Sequence, residues 1–149
     1  IFYLCEGRNR KHRANQTKND KKENRPQSIT IDEIAKILSD NNIPYIQQYS
    51  PNNFKFSKTN SKCFFDFYVN NSYIIEFDGE QHFHIRNNGW YNEQSYLDTK
   101  ARDYEKNEYC FKYNIPIIRI PYTLLSKITL DDLKIEKSKY LLKGEERNG

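Results

Sequence analysis

From Cys63 to Phe83 the chain runs CFFDFYVNNSYIIEFDGEQHF, and no other stretch restricts the fold so closely. Two short segments rich in aromatic and β-branched residues flank Asn70-Asn71-Ser72, which predicts a β-hairpin. Set into that hairpin and the loop after it are Asp66, Glu76, Asp78, Glu80 and His82, four acids and a histidine within seventeen residues. Apolar strands exclude carboxylates, because an unpaired charge out of water is costly and tends to neutralise. Their presence points to a site, most simply one that holds a divalent cation through oxygen ligands.

In a strand alternate residues share a face. Phe64, Asp66 and Tyr68 therefore group on the first strand, and Ile74, Glu76 and Asp78 on the second. Which groups meet depends on the turn. A two-residue loop at Asn70-Asn71 pairs Asp66 with Ile75 and turns Glu76 to the other face. A three-residue loop, Asn70-Asn71-Ser72, pairs Asp66 with Glu76 and Phe64 with Asp78. A slip of one residue flips every side chain. We favour the three-residue loop, because it gathers the three carboxylates and because Asn tolerates the left-handed backbone such loops need. Carboxylates so placed repel unless positive charge sits among them; otherwise single acids cap loops or pair with Lys or Arg, the simpler reading for Glu80 beside Gly79. Gly79 permits a sharp exit that carries Gln81 and His82 back over the strand end, where an imidazole can take a proton from water near neutral pH. His84 is a second candidate.

Between Arg8 and Arg25 stand eight Lys or Arg residues, among them Arg8, Arg10, Lys11, Arg13 and Lys18, against Asp20 and Glu23. The net charge of the whole chain is only +4, so the excess lies in this arm and the remainder is slightly acidic. Residues 1–27 are an arm that lies along nucleic-acid phosphates or a solvated linker, and Ile1 in place of methionine predicts that the chain is a piece of something longer. Ser28 to Asn42 has Ile31, Ile34, Ala35, Ile37 and Leu38 at helical spacing, and Thr30 to Glu33 matches a capping box, which gives Glu33 a structural role. Tyr45 to Tyr49 and Phe54 to Phe56 read as short strands. The stretch from Ile85 to Gln94, with Trp90 and Tyr91, suits a lid that stacks on bases or an ordinary packing cluster. Tyr96 to Tyr113 forms a long helix with Leu97, Ala101, Tyr104 and Phe111 along one stripe, and Lys100, Arg102, Asp103, Lys106 and Asn107 elsewhere. Ile117 to Ile120, apolar except for Arg119, reads as a buried parallel strand. Thr129 to Leu141 reads as a last helix capped by Thr129, and 143–149 as a frayed tail. The order predicts an α/β fold, one mixed sheet flanked by helices, in a single domain over 28–142.

Composition closes off several classes. No apolar run approaches the ~20 residues that span a bilayer, and no signal peptide is visible. Cys5, Cys63 and Cys110 are far apart, without CxxC spacing, and read as reduced intracellular thiols rather than a disulfide framework or zinc site.

Taken in order, FDFYV, a short turn, IIEFDGEQHF, RDYEKNEYC and IPIIRIPY resemble the Vsr-like endonucleases. These are the very-short-patch repair nicking enzymes and the phage-borne EDxHD homing endonucleases of the PD-(D/E)XK superfamily, and the resemblance covers Thr30 to Tyr122. It implies the PD-(D/E)XK fold, with Asp66 as the metal-binding aspartate, Glu76 as the second metal carboxylate, Asp78 and His82 as the acid and histidine of the active loop, Glu33 as the helical glutamate and Asp103 as a later acid. Two departures stand out. Asp78 occupies the place of the lysine in E-x-K, so a lysine-assisted mechanism is not expected. The zinc-binding cysteines and histidine of the mismatch-repair members are missing, which argues against T·G mismatch repair and for the homing or phage-type branch.

The function expected is a metal-dependent DNA endonuclease using Mg²⁺ or Mn²⁺ on Asp66, Glu76 and Asp78, with His82 activating water and Glu33 orienting it or a second ion. Lys100, Arg102 or Arg119 would stabilise phosphate charge, and the arm with Lys100 and Arg102 would contact double-stranded DNA. A homodimer, or a DNA-binding domain before Ile1, would supply specificity, in the cytoplasm of a bacterium or virus-infected cell. The alternatives are an inactive nucleic-acid-binding module on the same fold and a restriction or repair nicking enzyme.

Overall fold

The tripeptide Asn-Ile-Pro occurs twice, at 42–44 and 114–116, and each copy ends a helix and launches a strand. In the structure, a computed structural model that describes residues 26–79 and 92–144, helix α1 spans Pro26–Asp40 and helix α2 spans Glu93–Lys112. Asn42 and Asn114 take φ 57° and 56°, the left-handed value that Asn tolerates at a helix end. The following Ile then donates back to the last turn, Ile43 N–H to the Leu38 carbonyl at 2.9 Å and Ile115 N–H to that of Cys110 at 2.8 Å. Proline after each Ile prevents continuation of the helix. Strands β1 (Tyr45–Tyr49) and β4 (Ile117–Pro121) begin directly afterwards.

With β2 (Phe65–Val69) and β3 (Tyr73–Asp78) these strands form one mixed sheet in the order β1-β2-β3-β4. The first three are antiparallel, and β4 joins β3 in parallel through the crossover helix α2. Val69 pairs with Tyr73, so the hairpin has the three-residue loop Asn70-Asn71-Ser72. Both Asn residues are left-handed, at φ 54° and 50°, and Ser72 N–H closes the turn on the Val69 carbonyl at 2.9 Å.

The sheet is covered on both faces. Phe67, Val69, Ile75, Phe77, Ile118 and Ile120 pack with Ile34 and Leu38 of α1 and with Leu133. Ile74 and Ile117 pack on the other face with Phe54, Phe56, Phe65, Cys63 and Cys110 of α2. No helix among the described residues is long and apolar enough to cross a membrane.

Four sequence expectations change. Helix α1 begins at Pro26, which puts Thr30 inside it and not at the N-cap position that the expected Thr30–Glu33 capping box requires. Phe54 to Phe56 is no strand: a single bridge between Lys55 and Lys62 closes a loop that tucks both rings into the core. The expected helix from Thr129 to Leu141 reduces to a turn at Leu130–Leu133, capped as expected by Thr129 together with Asp132. The chain then runs along the outer edge of β4, with Arg119 N–H on the Tyr140 carbonyl at 3.1 Å and Leu142 N–H on that of Ile117 at 2.9 Å. Covering that open edge satisfies strand groups that a helix would leave bare. Lastly, the stripe of Leu97 and Tyr104 on α2 faces outward, 51% and 57% exposed. The inward stripe is Thr99, Asp103, Lys106 and Cys110, with Thr99 and Cys110 buried. A helix whose polar side turns toward the sheet brings charge to something there.

Candidate active site

Regular pairing fails around Asp66 on both sides. On β1, Gln48 faces Asp66 by register but is left out of the ladder, and it takes φ 57°. That value is uncommon for a residue other than glycine and is kept only when surroundings enforce it. On β3 the ladder ends at Phe67–Ile75, one step before Asp66 would meet Glu76. Side chains take over from the backbone there. Asp66 N–H donates to Glu76 Oε1 at 2.7 Å, and Phe77 N–H donates to Asp66 Oδ2 at 2.7 Å. Each carboxylate is thus fixed by an amide of the opposing strand, and Asp66 Oδ1 takes part in neither bond.

Helix α2 supplies the countercharge. Lys106 Nζ lies 2.6 Å from Glu76 Oε2 and also donates to the Phe64 carbonyl at 2.9 Å. The parallel register sets Arg119 of β4 beside Glu76. Its Nη1 reaches Asp78 Oδ1 at 2.7 Å and lies 3.8 Å from Asp103 Oδ1, while Nε donates to Asn107 Oδ1 at 2.9 Å. Among the described residues, Lys106 and Arg119 are the cations set against Asp66, Glu76, Asp78 and Asp103.

Burial, then the Glu76 carboxylate, push the Asp66 carboxyl up to about 8, against the pull of Lys106 and of the Phe77 amide. Burial works against the charge on Lys106, but Glu76 and Asp66 outweigh it and raise its pKa. Burial likewise opposes the Arg119 charge, and Asp78, Glu76 and Asp103 outweigh it. Burial pushes the Cys63 and Cys110 thiols up to about 12. Both are unbridged and buried, so they are protonated packing groups.

The structure thus brings Asp66, Glu76 and Asp78 to one sheet face under α2, with Asp103 at their edge. Glu33 sits on α1, which packs against the other face, and its buried Oε1 has no hydrogen-bond partner. Lys100 lies 5.8 Å from the centre of the Tyr96 ring, and the exposed Arg102 donates to Thr99 Oγ1 at 3.4 Å. Glu80, His82, His84, most of the expected lid, and Arg8, Arg10, Lys11, Arg13 and Lys18 lie outside the described residues. The sequence puts Lys106 and Asn107 on the helix but does not mark them as part of the site. Their signal is the spacing 99, 103, 106, 110, an inward stripe opposite Leu97 and Tyr104.

Among the described residues no three His, Cys, Asp or Glu side chains are grouped so as to hold a metal ion by themselves. No family model matches the chain, and no curated protein or solved structure matches it.

Proposed function

We propose that the protein is a metal-dependent DNA endonuclease of the Vsr-like, homing or phage type, on a PD-(D/E)XK nuclease fold. One observation carries this reading: Asp66 and Glu76 are locked to each other's strands where the ladder opens, and Lys106 bears on Glu76 at 2.6 Å. Two acids and a lysine at one point are the parts that phosphodiester hydrolysis needs. The sequence lacks a lysine two residues after Glu76, and Lys106 supplies one from α2.

The residues fit Mg²⁺ or Mn²⁺. Burial and the neighbouring Glu76 carboxylate leave Asp66 protonated near neutral pH, a state that a cation would reverse, and Asp66 with Glu76 would hold the ion. Mg²⁺ is commonly bound by one or two carboxylates, with water and substrate phosphate completing its shell. Bound there, the ion polarises a phosphate and lowers the pKa of a coordinated water. The chain's own groups do the rest. The Phe77 and Asp66 amides fix both carboxylates, Lys106 holds Glu76 and presents a donor to a phosphate oxygen, and Arg119 pairs with Asp78 and lies beside Asp103. His82, by the family resemblance, takes the proton of the attacking water, and the basic arm adds sequence-independent affinity for DNA.

The test is incubation of the full chain with supercoiled plasmid, with Mg²⁺ or with EDTA, beside Asp66→Ala, Lys106→Met and His82→Ala. Nicked or linear product from the wild type alone, and only with metal, is expected. Equal cutting by the variants overturns the site. Binding without cleavage favours an inactive nucleic-acid-binding module.

A further inference from the structure

Beside the acid cluster, on the other side of Lys106, a groove of about 320 Å³ lies between α2 and the loop that precedes β2. Its walls carry Lys62, Arg102 and Lys106 against a single acid, Asp103. Lys106 is paired with Glu76 at 2.6 Å and Asp103 lies 3.8 Å from the Arg119 guanidinium, so Lys62 and Arg102 give the groove its net positive charge. Phe64 also lines it and is 41% exposed, although it sits at the entrance to a core strand. A neighbouring cleft of about 390 Å³ shares Phe56 and Arg102 but is electrically balanced. There Lys58 pairs with Asp98 at 3.3 Å, and Glu105 is taken up by the Ser57 amide and hydroxyl at 3.0 Å each. The two clefts are adjacent, and one alone is prepared for an anion.

The geometry points to the Lys62–Phe64–Arg102 groove as the track for a single strand of nucleic acid. Phosphates lie on Lys62 and Arg102, and an unpaired base stacks on the Phe64 ring. Cations that follow the backbone with an aromatic ring interleaved are how proteins hold single strands without reading sequence. Lys106 links track and site, because it lines the groove while bonding Glu76 and the Phe64 carbonyl. A strand in the groove therefore passes its phosphate toward Asp66. This deepens the nuclease reading and rests on it for its purpose: the substrate is opened, or already unpaired, next to the cut.

The test is fluorescence anisotropy of a fluorescein-labelled dT20 with the full chain in EDTA, over a range of salt concentrations. Variants are Lys62→Glu, Arg102→Glu and Phe64→Ala, with Lys36→Glu as control, since Lys36 sits on α1 and pairs with Asp40. Each lost phosphate contact lowers the salt slope by about 0.7, or about fivefold in affinity at ~0.1 M salt. Phe64→Ala weakens dT20 by about 5- to 150-fold and leaves a blunt duplex of the same length unaffected. Lys36→Glu behaves as wild type. The track is overturned if Lys62→Glu and Arg102→Glu bind like Lys36→Glu, and the stacked strand is overturned if Phe64→Ala binds dT20 like wild type. Binding in EDTA is independent of cleavage, so failure of the nuclease reading and failure of the track give different results.

Discussion

Removing Lys106 tests whether the acid pair of Asp66 on β2 and Glu76 on β3 depends on a cation delivered from another element. The Lys106 side chain is 15% exposed and that of Glu76 is 5%, and their charged atoms are 2.6 Å apart. In Lys106→Met the methylene stem is kept, but Glu76 remains as a buried carboxylate beside Asp66 with its countercharge gone. Breaking a buried pair from one side costs about 3–5 kcal/mol, a large part of the ~5–15 kcal/mol by which a domain is stable. Glu76→Gln is milder. It keeps an acceptor for the Asp66 amide and leaves Lys106 its bond to the Phe64 carbonyl, so a cost of about 1–3 kcal/mol is expected. In the double variant no charge is stranded, and it should be more stable than the sum of the single losses by about 2 kcal/mol. Urea unfolding followed by circular dichroism, in EDTA, measures all four corners of the cycle. A loss below about 1 kcal/mol for Lys106→Met, or strict additivity, would refute the claim that the pair is a coupled unit.

Two further outcomes follow from the same region. Asp66 titrates at about 8 in the fold against an ordinary 3.8, so between those values the folded chain holds a proton that the unfolded chain releases. The stability this proton confers is complete below about pH 4 and is lost as pH rises toward 8. Thermal melts should show that decline in wild type, a flatter profile in Asp66→Asn, and a weaker decline with Mg²⁺; an identical slope in Asp66→Asn would sink the assignment. The hairpin turn gives a second measurement. Asn71 holds φ 50°, so Asn71→Val should cost about 1–2 kcal/mol and Asn71→Gly little or nothing, and equal melting temperatures for the two would contradict the turn.

Features carried by neighbouring residues were legible in the sequence, and features assembled across it were not. Asn42-Ile43-Pro44 and Asn114-Ile115-Pro116 mark both helix ends because left-handed Asn and ring-closed Pro act locally. Asn70-Asn71-Ser72 set the register, and with it the meeting of Asp66 and Glu76, for the same reason. Lys106 is thirty residues from Glu76, on a helix whose most conspicuous pattern, Leu97 and Tyr104, points outward. Apolar periodicity locates the buried stripe of a helix only when that stripe is apolar. Here the facing strand carries carboxylates, so the inward stripe is polar. The last segment departs from the helical expectation for a related reason: Thr129 and Asp132 form a true cap, but the bare edge of β4 competes for the chain that follows and draws it out as a partner.

Three acids on one face of the hairpin suggest a single trio, and the countercharges divide it. Arg119 binds Asp78, Asp103 and Asn107 together, which ties β3, β4 and α2 at one guanidinium. An Arg keeps its charge at any working pH and offers donors in a rigid fork, so this half of the cluster is suited to holding the helix on the sheet. Asp66, Glu76 and Lys106 form the other half. A lysine can share its three donors between Glu76, the Phe64 carbonyl and an incoming oxygen, and Asp66 Oδ1 is left out of the interlock with Glu76. The half built on Arg119 fixes the frame, whereas the half built on Lys106 opens onto the groove and is where an anionic substrate would meet the acids.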